Sequence, residues 1–213
     1  MNSVCWNCGE GTASRFCEKC KALQAPSPDY FDFFEISRKL TLDVKDLEAR
    51  FYALSRQLHP DLFSRRSARE REYSLEATAI LNDAYRTLRD PISRALYVLR
   101  LEGFEVGEQG TKDVPPELLE EVFELNMALE ELRAGDDSVA PQLVEARQRF
   151  EDTRDELDRR LGDEFAAWDA AHKDAVHKKD TLAAIRGLLN RRKYITNLIA
   201  QANEATANVS DRV

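Results

Sequence analysis

Apolar residues recur at steps of three and four along most of the chain, the spacing of helix faces. Val44, Leu47, Phe51, Leu54 and Leu58 make one such face. Pro60 ends it, since proline has no N–H to donate and disfavours helical geometry at the residue before it. After a basic loop holding Arg65 and Arg66, a second face starts near Ser67. It runs through Tyr73, Ala77, Leu81, Ala84, Tyr85 and Leu88 and stops at Asp90-Pro91. The pattern predicts two antiparallel helices with His59-Pro60-Asp61 at their bend. Upstream, Tyr30-Phe31-Asp32-Phe33-Phe34 suits a short helix packed on that hairpin, and Asp43 and Asp46 sit at the positive end of the first long helix.

Glu102 to Asp113 carries Gly103, Gly107 and Gly110 and reads as a linker. Pro115-Pro116 then opens a helix whose apolar set is too wide for one buried stripe of about 100°. Leu118, Val122, Leu125, Leu129 and Leu132 suffice for a core. Leu119, Phe123 and Met127 form a second line about 12 Å long, with Glu124 beside it; packing of Phe123 and Met127 inside a bundle is the alternative. A turn at Gly135-Asp136-Asp137-Ser138 leads to a helix starting near Pro141 and carrying Leu143, Ala146, Phe150, Leu157 and Leu161. The last helix carries Leu182, Ile185, Leu188, Leu189, Ile195, Leu198 and Ile199. Between these two, Gly162 to Asp180 is expected to extend the hairpin as a solvated arm with Trp168, His172, Val176 and His177. The tail from Glu204 is expected to fray.

Only 8 Gly and 7 Pro occur in 213 residues, which strengthens an all-α expectation. The net charge of −8 is uneven: three acids and three bases over 1–29, twelve and thirteen over 30–104, and 24 and 15 over 105–213. An acidic C-terminal half argues against nucleic-acid binding, which favours a basic stripe. No apolar run approaches the roughly 20 residues that span a bilayer. No signal or transit peptide precedes Cys5, so a cytoplasmic protein is expected.

All four cysteines lie in the first twenty residues, as Cys5-x2-Cys8 and Cys17-x2-Cys20. Two residues between thiolates let each pair close a tight knuckle, and two knuckles build a tetrahedron for one structural Zn²⁺. Gly9 after Cys8 allows the turn; Lys21 at the equivalent place is less suited to it. Metal binding would supply the folding free energy that so short a segment lacks, on the order of 10 kcal/mol. Two disulfides, a redox dithiol and iron bound by the same thiolates are the alternatives.

By chance, His-Pro-Asp falls in roughly one per cent of chains of this length, and the flanking helical faces make coincidence remote. Acid–base catalysis by His59 with Asp61 is disfavoured, because Pro60 makes a mutual hydrogen bond between them awkward and no nucleophile or phosphate loop accompanies them. The helical face ending at Leu58, the tripeptide, Asn82-Asp83-Ala84-Tyr85-Arg86-Thr87-Leu88 and Asp90-Pro91 together resemble a J-domain.

The resemblance narrows with Cys5-Trp6-Asn7-Cys8-Gly9, Phe16-Cys17-x2-Cys20, Leu23-Gln24 and Asp29-Tyr30-Phe31. His59-Pro60-Asp61-Leu62-Phe63 and the run Ser93-Arg94-Ala95-Leu96-Tyr97-x-Leu99-x-Leu101-x-Gly103 continue it. These are similar to the HscB family of co-chaperones of iron–sulfur cluster biogenesis, in its four-cysteine form. The resemblance covers 1–133 well and the remainder more loosely. It implies a zinc module over 1–28, a J-domain over 29–104, a linker over 105–114, a three-helix bundle over 115–207 and a tail over 208–213.

It further implies a protein that is not an enzyme but stimulates the ATPase of a heat-shock protein 70 (DnaK/HscA-type) chaperone. His59, Pro60, Asp61, Arg50, Arg56 and Arg65 would meet that chaperone, with Arg66 adding to the steering charge. An IscU-type scaffold would meet Leu119, Phe123, Glu124, Met127 and Tyr194. Met127 and Glu120 depart from the residues frequent in the family, which bears on the contact set. A eukaryotic member would work in the mitochondrial matrix. The competing expectations are a general folding J-protein with another client and a cluster carrier using the N-terminal cysteines.

Overall fold

The computed structural model describes residues 3–104, 118–171 and 175–210. The architecture is all-α: seven α-helices among the described residues and one two-stranded ribbon at the N-terminus. The chain divides into two compact units, 1–97 and 98–213, with the boundary inside one helix. The expected linker over 105–114 and Pro115-Pro116 lie outside the described residues, as does His172.

In the first unit, strands β1 (Ser3–Val4) and β2 (Gly11–Thr12) pair antiparallel. Helix α1 (Tyr30–Phe34) is capped by Asp29, whose carboxylate accepts the Phe31 and Asp32 N–H groups, and it buries Phe31, Phe33 and Phe34. Helix α2 (Val44–Leu58) is capped by Asp43 and buries Leu47, Leu54 and Leu58. Each buried leucine stabilises the pairing by ~1.5–3 kcal/mol. Val44, expected on that inner face, is exposed, because the Asp43 cap makes it the first residue of the helix, before the face turns inward. Phe51 stacks on Tyr85 with ring centroids 4.4 Å apart.

Helix α3 (Ala68–Arg89) starts with a reciprocal capping box between Ser67 and Glu70. It turns Ala77, Leu81, Ala84 and Leu88 toward the core. Helix α4 (Pro91–Leu101) carries the unit boundary. The buried Arg94 side chain donates to the Leu40 carbonyl at 2.8 Å and to the Leu88 carbonyl in the last turn of α3, where a cation opposes the negative helix end. The Tyr30 N–H donates to Tyr97 Oη at 2.9 Å, and the two rings stack at 4.4 Å.

The second unit holds a bundle of α5 (Leu119–Arg133), α6 (Ala140–Ala170) and α7 (Ala175–Ser210). Leu118, Val122, Leu125, Leu129 and Leu132 are all buried, as are the apolar positions expected on α6 and α7. Arg192 binds Asp158 between α7 and α6. The region around Gly162 does extend the hairpin, since α6 runs through it to Ala170. It is not simply solvated, however: Phe165 and Trp168 are buried and Lys178 lies 4.7 Å from the Trp168 ring. Helix α7 persists past Glu204 to Ser210 instead of fraying there. No described helix is long and apolar enough to cross a membrane.

Candidate functional site

Helix α2 ends where Pro60 cannot continue it. His59 takes φ −56° and ψ 130°, and Pro60–Phe63 form one 3₁₀ turn. Phe63 is buried and anchors that turn, which leaves its polar residues outside. The Asp61 side chain is 89% exposed and that of His59 55%. His59 Nδ1 accepts the Asp61 N–H at 3.3 Å and lies 3.4 Å from Asp61 Oδ2. Pro60 is expected to make a mutual hydrogen bond of the two side chains awkward, and the bond seen comes from the Asp61 backbone instead: His59 caps the 3₁₀ turn, and a capping side chain reaches the N–H two residues on. Arg56, Arg65 and Arg66 flank the tip in sequence and are exposed; Arg50 is exposed too, but it lies nine residues before His59 on α2 and pairs with Asp46 at 2.8 Å. Leu62, beside Asp61, is exposed as well.

The four cysteines form two matching knuckles. Gly9 N–H donates to the Cys5 carbonyl at 3.0 Å and Lys21 N–H to the Cys17 carbonyl at 2.9 Å. Gly9 has φ +73°, and Lys21 takes the same left-handed conformation at φ +58°, at a steric cost glycine avoids. All four Sγ atoms lie within 4.8 Å of one another. The Cys5–Cys20 and Cys8–Cys17 separations are 3.6 and 3.7 Å, and the thiols are free. A tetrahedron with metal–sulfur bonds of about 2.3 Å has edges of about 3.8 Å, so the donor set fits one zinc-sized ion. Gln24 Nε2 donates to Cys5 Sγ at 3.4 Å, an outer contact that orients a ligand. Burial works against ionisation of Cys5, but the Cys8 and Asn7 N–H groups together with the Cys17 and Cys20 thiols outweigh it and lower the thiol to about 6. At Cys8 the Glu10 backbone favours the thiolate, yet burial and the other three sulfurs push it up to about 12.

Within the first unit this module is fastened at two places. Trp6 Nε1 donates to the Leu23 carbonyl at 2.7 Å, while the ring lies edge-on to Tyr73 and 5.1 Å from the Arg69 guanidinium. Arg15 donates to the Phe33 carbonyl at the end of α1 and pairs with Glu35 at 3.4 Å. Burial pushes the Arg15 guanidinium down, and Glu35 opposes that shift. Periodicity gave no hint of Trp6 or Arg15, whose partners lie far along the chain.

On α5, Leu119, Phe123 and Met127 are 54%, 66% and 44% exposed. They are not core residues of the bundle. Beside them Glu124 pairs with Arg149 of α6 at 3.1 Å. A cleft of about 370 Å³ lies between α5 and α6, with Ala128 and Ala146 at its floor and Glu131 and Glu145 among its rim residues. Tyr194 is half-buried on α7, and burial raises its hydroxyl. Arg149 was missed because its only sequence signal is one more charge on a mixed face.

Residues 114–203 match the family model described as the HSCB C-terminal oligomerisation domain. The iron-sulfur cluster co-chaperone protein HscB of Homo sapiens is 42% identical over 134 residues, 60% of this chain and 57% of that protein. The Mus musculus protein of the same name is 37% identical over 152 residues, 68% of this chain and 64% of its own. The Arabidopsis thaliana homolog is 40% identical over 138 residues, covering 64% and 53%. The matched stretch therefore spans less than two thirds of each of these relatives. Among solved structures, human HscB superposes with a TM-score of 0.69 at 30% identity, covering 94% of this chain and 97% of that one. HscB from Vibrio cholerae gives 0.59 at 26% identity, covering 85% and 99%.

Proposed function

The chain belongs to the HscB family, and on that premise we propose that it is an iron–sulfur cluster co-chaperone with two docking surfaces and a structural zinc. The tip would stimulate ATP hydrolysis by a heat-shock protein 70 (DnaK/HscA-type) chaperone. The α5 line would carry an IscU-type scaffold to that chaperone for cluster transfer. The observation that carries this reading is the exposure of Asp61 and His59 on a turn whose Phe63 is locked inside.

The chemistry follows from what each group offers. Asp61 accepts a charge-assisted bond from a partner arginine, and the exposed His59 ring adds a second polar contact. Pro60 and the buried Phe63 limit the freedom lost on docking. Arg50, Arg56, Arg65 and Arg66 steer the tip toward an acidic ATPase surface. No group here enters the reaction at phosphate; the protein biases a conformational equilibrium in its partner. The ATPase belongs to the chaperone, so the protein is not itself an enzyme in this scheme.

Leu119, Phe123 and Met127 offer apolar anchors, with Glu124 as a polar neighbour and Tyr194 as the contact from α7. Cys5, Cys8, Cys17 and Cys20 would hold Zn²⁺, which supplies structural cross-linking and no catalysis. In this scheme 1–28 is the zinc module, 29–104 the J-domain and 115–207 the scaffold-binding bundle. It would work in the cytoplasm, or in the mitochondrial matrix of a eukaryote. The test is pull-down of an IscU-type scaffold and of the chaperone by the zinc-loaded chain. Capture of an unrelated folding client in place of the scaffold would favour a general J-protein.

A further inference from the structure

The carbonyl of Leu58 has lost its place in the α-helical ladder. In a continuing helix it would accept the Leu62 N–H, but that group donates to the His59 carbonyl at 3.0 Å. The Asp61 N–H, the next candidate, donates to His59 Nδ1 at 3.3 Å. Leu58 is 0% exposed, so water is not a ready substitute for either. A buried carbonyl with no donor carries a desolvation penalty. The donor comes from the facing helix: Ser74 Oγ, also 0% exposed, lies 2.7 Å from the Leu58 oxygen. Thr78 Oγ1 lies 2.8 Å from the Ser74 carbonyl and 3.4 Å from the Leu58 carbonyl, so its one proton mainly serves its own helix.

We infer that Ser74 is a positioning residue for the His59-Pro60-Asp61 tip, acting by holding the Leu58 carbonyl where α2 must stop. The inference rests on the chaperone-docking role proposed for that tip. A small residue is wanted where α2 and α3 pack, but alanine would meet that need equally; only a hydroxyl pairs the orphaned carbonyl. Without it, the last peptide of α2 gains by rotating toward another donor. His59 is the next residue, so its ring and the turn after it move with that peptide.

The test compares the full zinc-loaded chain with Ser74→Ala, with Ala77→Gly as a buried α3 control that leaves the clamp intact, and with His59→Gln. If loss of the clamp leaves the docking geometry about one fifth populated, half-saturation of chaperone stimulation rises about fivefold at an unchanged maximum. Backbone order parameters at Asp61 and Leu62 should fall from about 0.85 toward 0.6 in Ser74→Ala alone. Ser74→Cys, close in size with a weaker donor, should lie between and serves if the alanine variant fails to fold. Equal effects of Ser74→Ala and Ala77→Gly on half-saturation, or unchanged tip order parameters, would overturn the inference. Unaltered stimulation by His59→Gln would instead remove the chaperone reading, while the order parameters still judge Ser74.

Discussion

Trp6 meets Tyr73 edge-on, with ring centroids 6.3 Å apart and planes at 81°. Through this contact the four-cysteine module rests on the first turns of α3, close in sequence to the capping box that follows the tip. Truncation by Trp6→Ala removes an aromatic pair worth ~0.5–1.5 kcal/mol and a cation–π contact worth ~0.5–1 kcal/mol. It also strands the Leu23 carbonyl that Trp6 Nε1 serves. Denaturant unfolding of the variant should show the first unit weakened by about 2 kcal/mol, with metal content retained. A midpoint equal to the parent would mean that the module is a passenger.

Zinc binding should release protons. Cys8, held up to about 12, keeps its proton at neutral pH until a metal displaces it, so apparent affinity rises with pH. Competition against a chelator at pH 6.5 and pH 8 measures this, and identical affinities would contradict it. Metal analysis and visible absorbance of the purified protein separate zinc from iron.

Leu119→Ala with Phe123→Ala should leave stability within about 0.5 kcal/mol of the parent, because both side chains face solvent. Scaffold affinity should fall roughly a hundredfold, from the loss of two apolar anchors. Leu125→Ala, two residues past Phe123 and 1% exposed, should do the reverse and destabilise the bundle by ~2–5 kcal/mol. Calorimetric binding and thermal melts on the two variants decide it. Normal scaffold binding by the double variant would move the contact set elsewhere.

Removing the buried cation tests another joint. Arg94→Leu removes the donor shared by the Leu40 and Leu88 carbonyls and should cost ~2–4 kcal/mol of first-unit stability. A variant as stable as the parent would show that water or another donor replaces the guanidinium.

Helices were legible wherever a buried stripe repeats locally. Leu47, Leu54 and Leu58 announce α2, and Leu118, Val122, Leu125, Leu129 and Leu132 announce α5, because periodicity needs no knowledge of the partner. Two CxxC pairs likewise carry their own geometry. What could not be read depends on tertiary pairing. Ser74 looks like any helical serine until the Leu58 carbonyl appears 16 residues away in sequence. Trp168 looked like arm surface until α6 and α7 proved to pack beyond Gly162. The bond from the Asp61 N–H to His59 depends on His59 capping a 3₁₀ turn, which the tripeptide alone does not specify.

Single-turnover ATP hydrolysis by the cognate heat-shock protein 70 chaperone, with the scaffold present, bears most directly on the exposed tip. The parent protein should raise the rate many-fold, and His59→Gln, at a position more than half exposed, should abolish that rise while leaving the fold and scaffold binding intact. Equal stimulation by parent and variant would contradict the account.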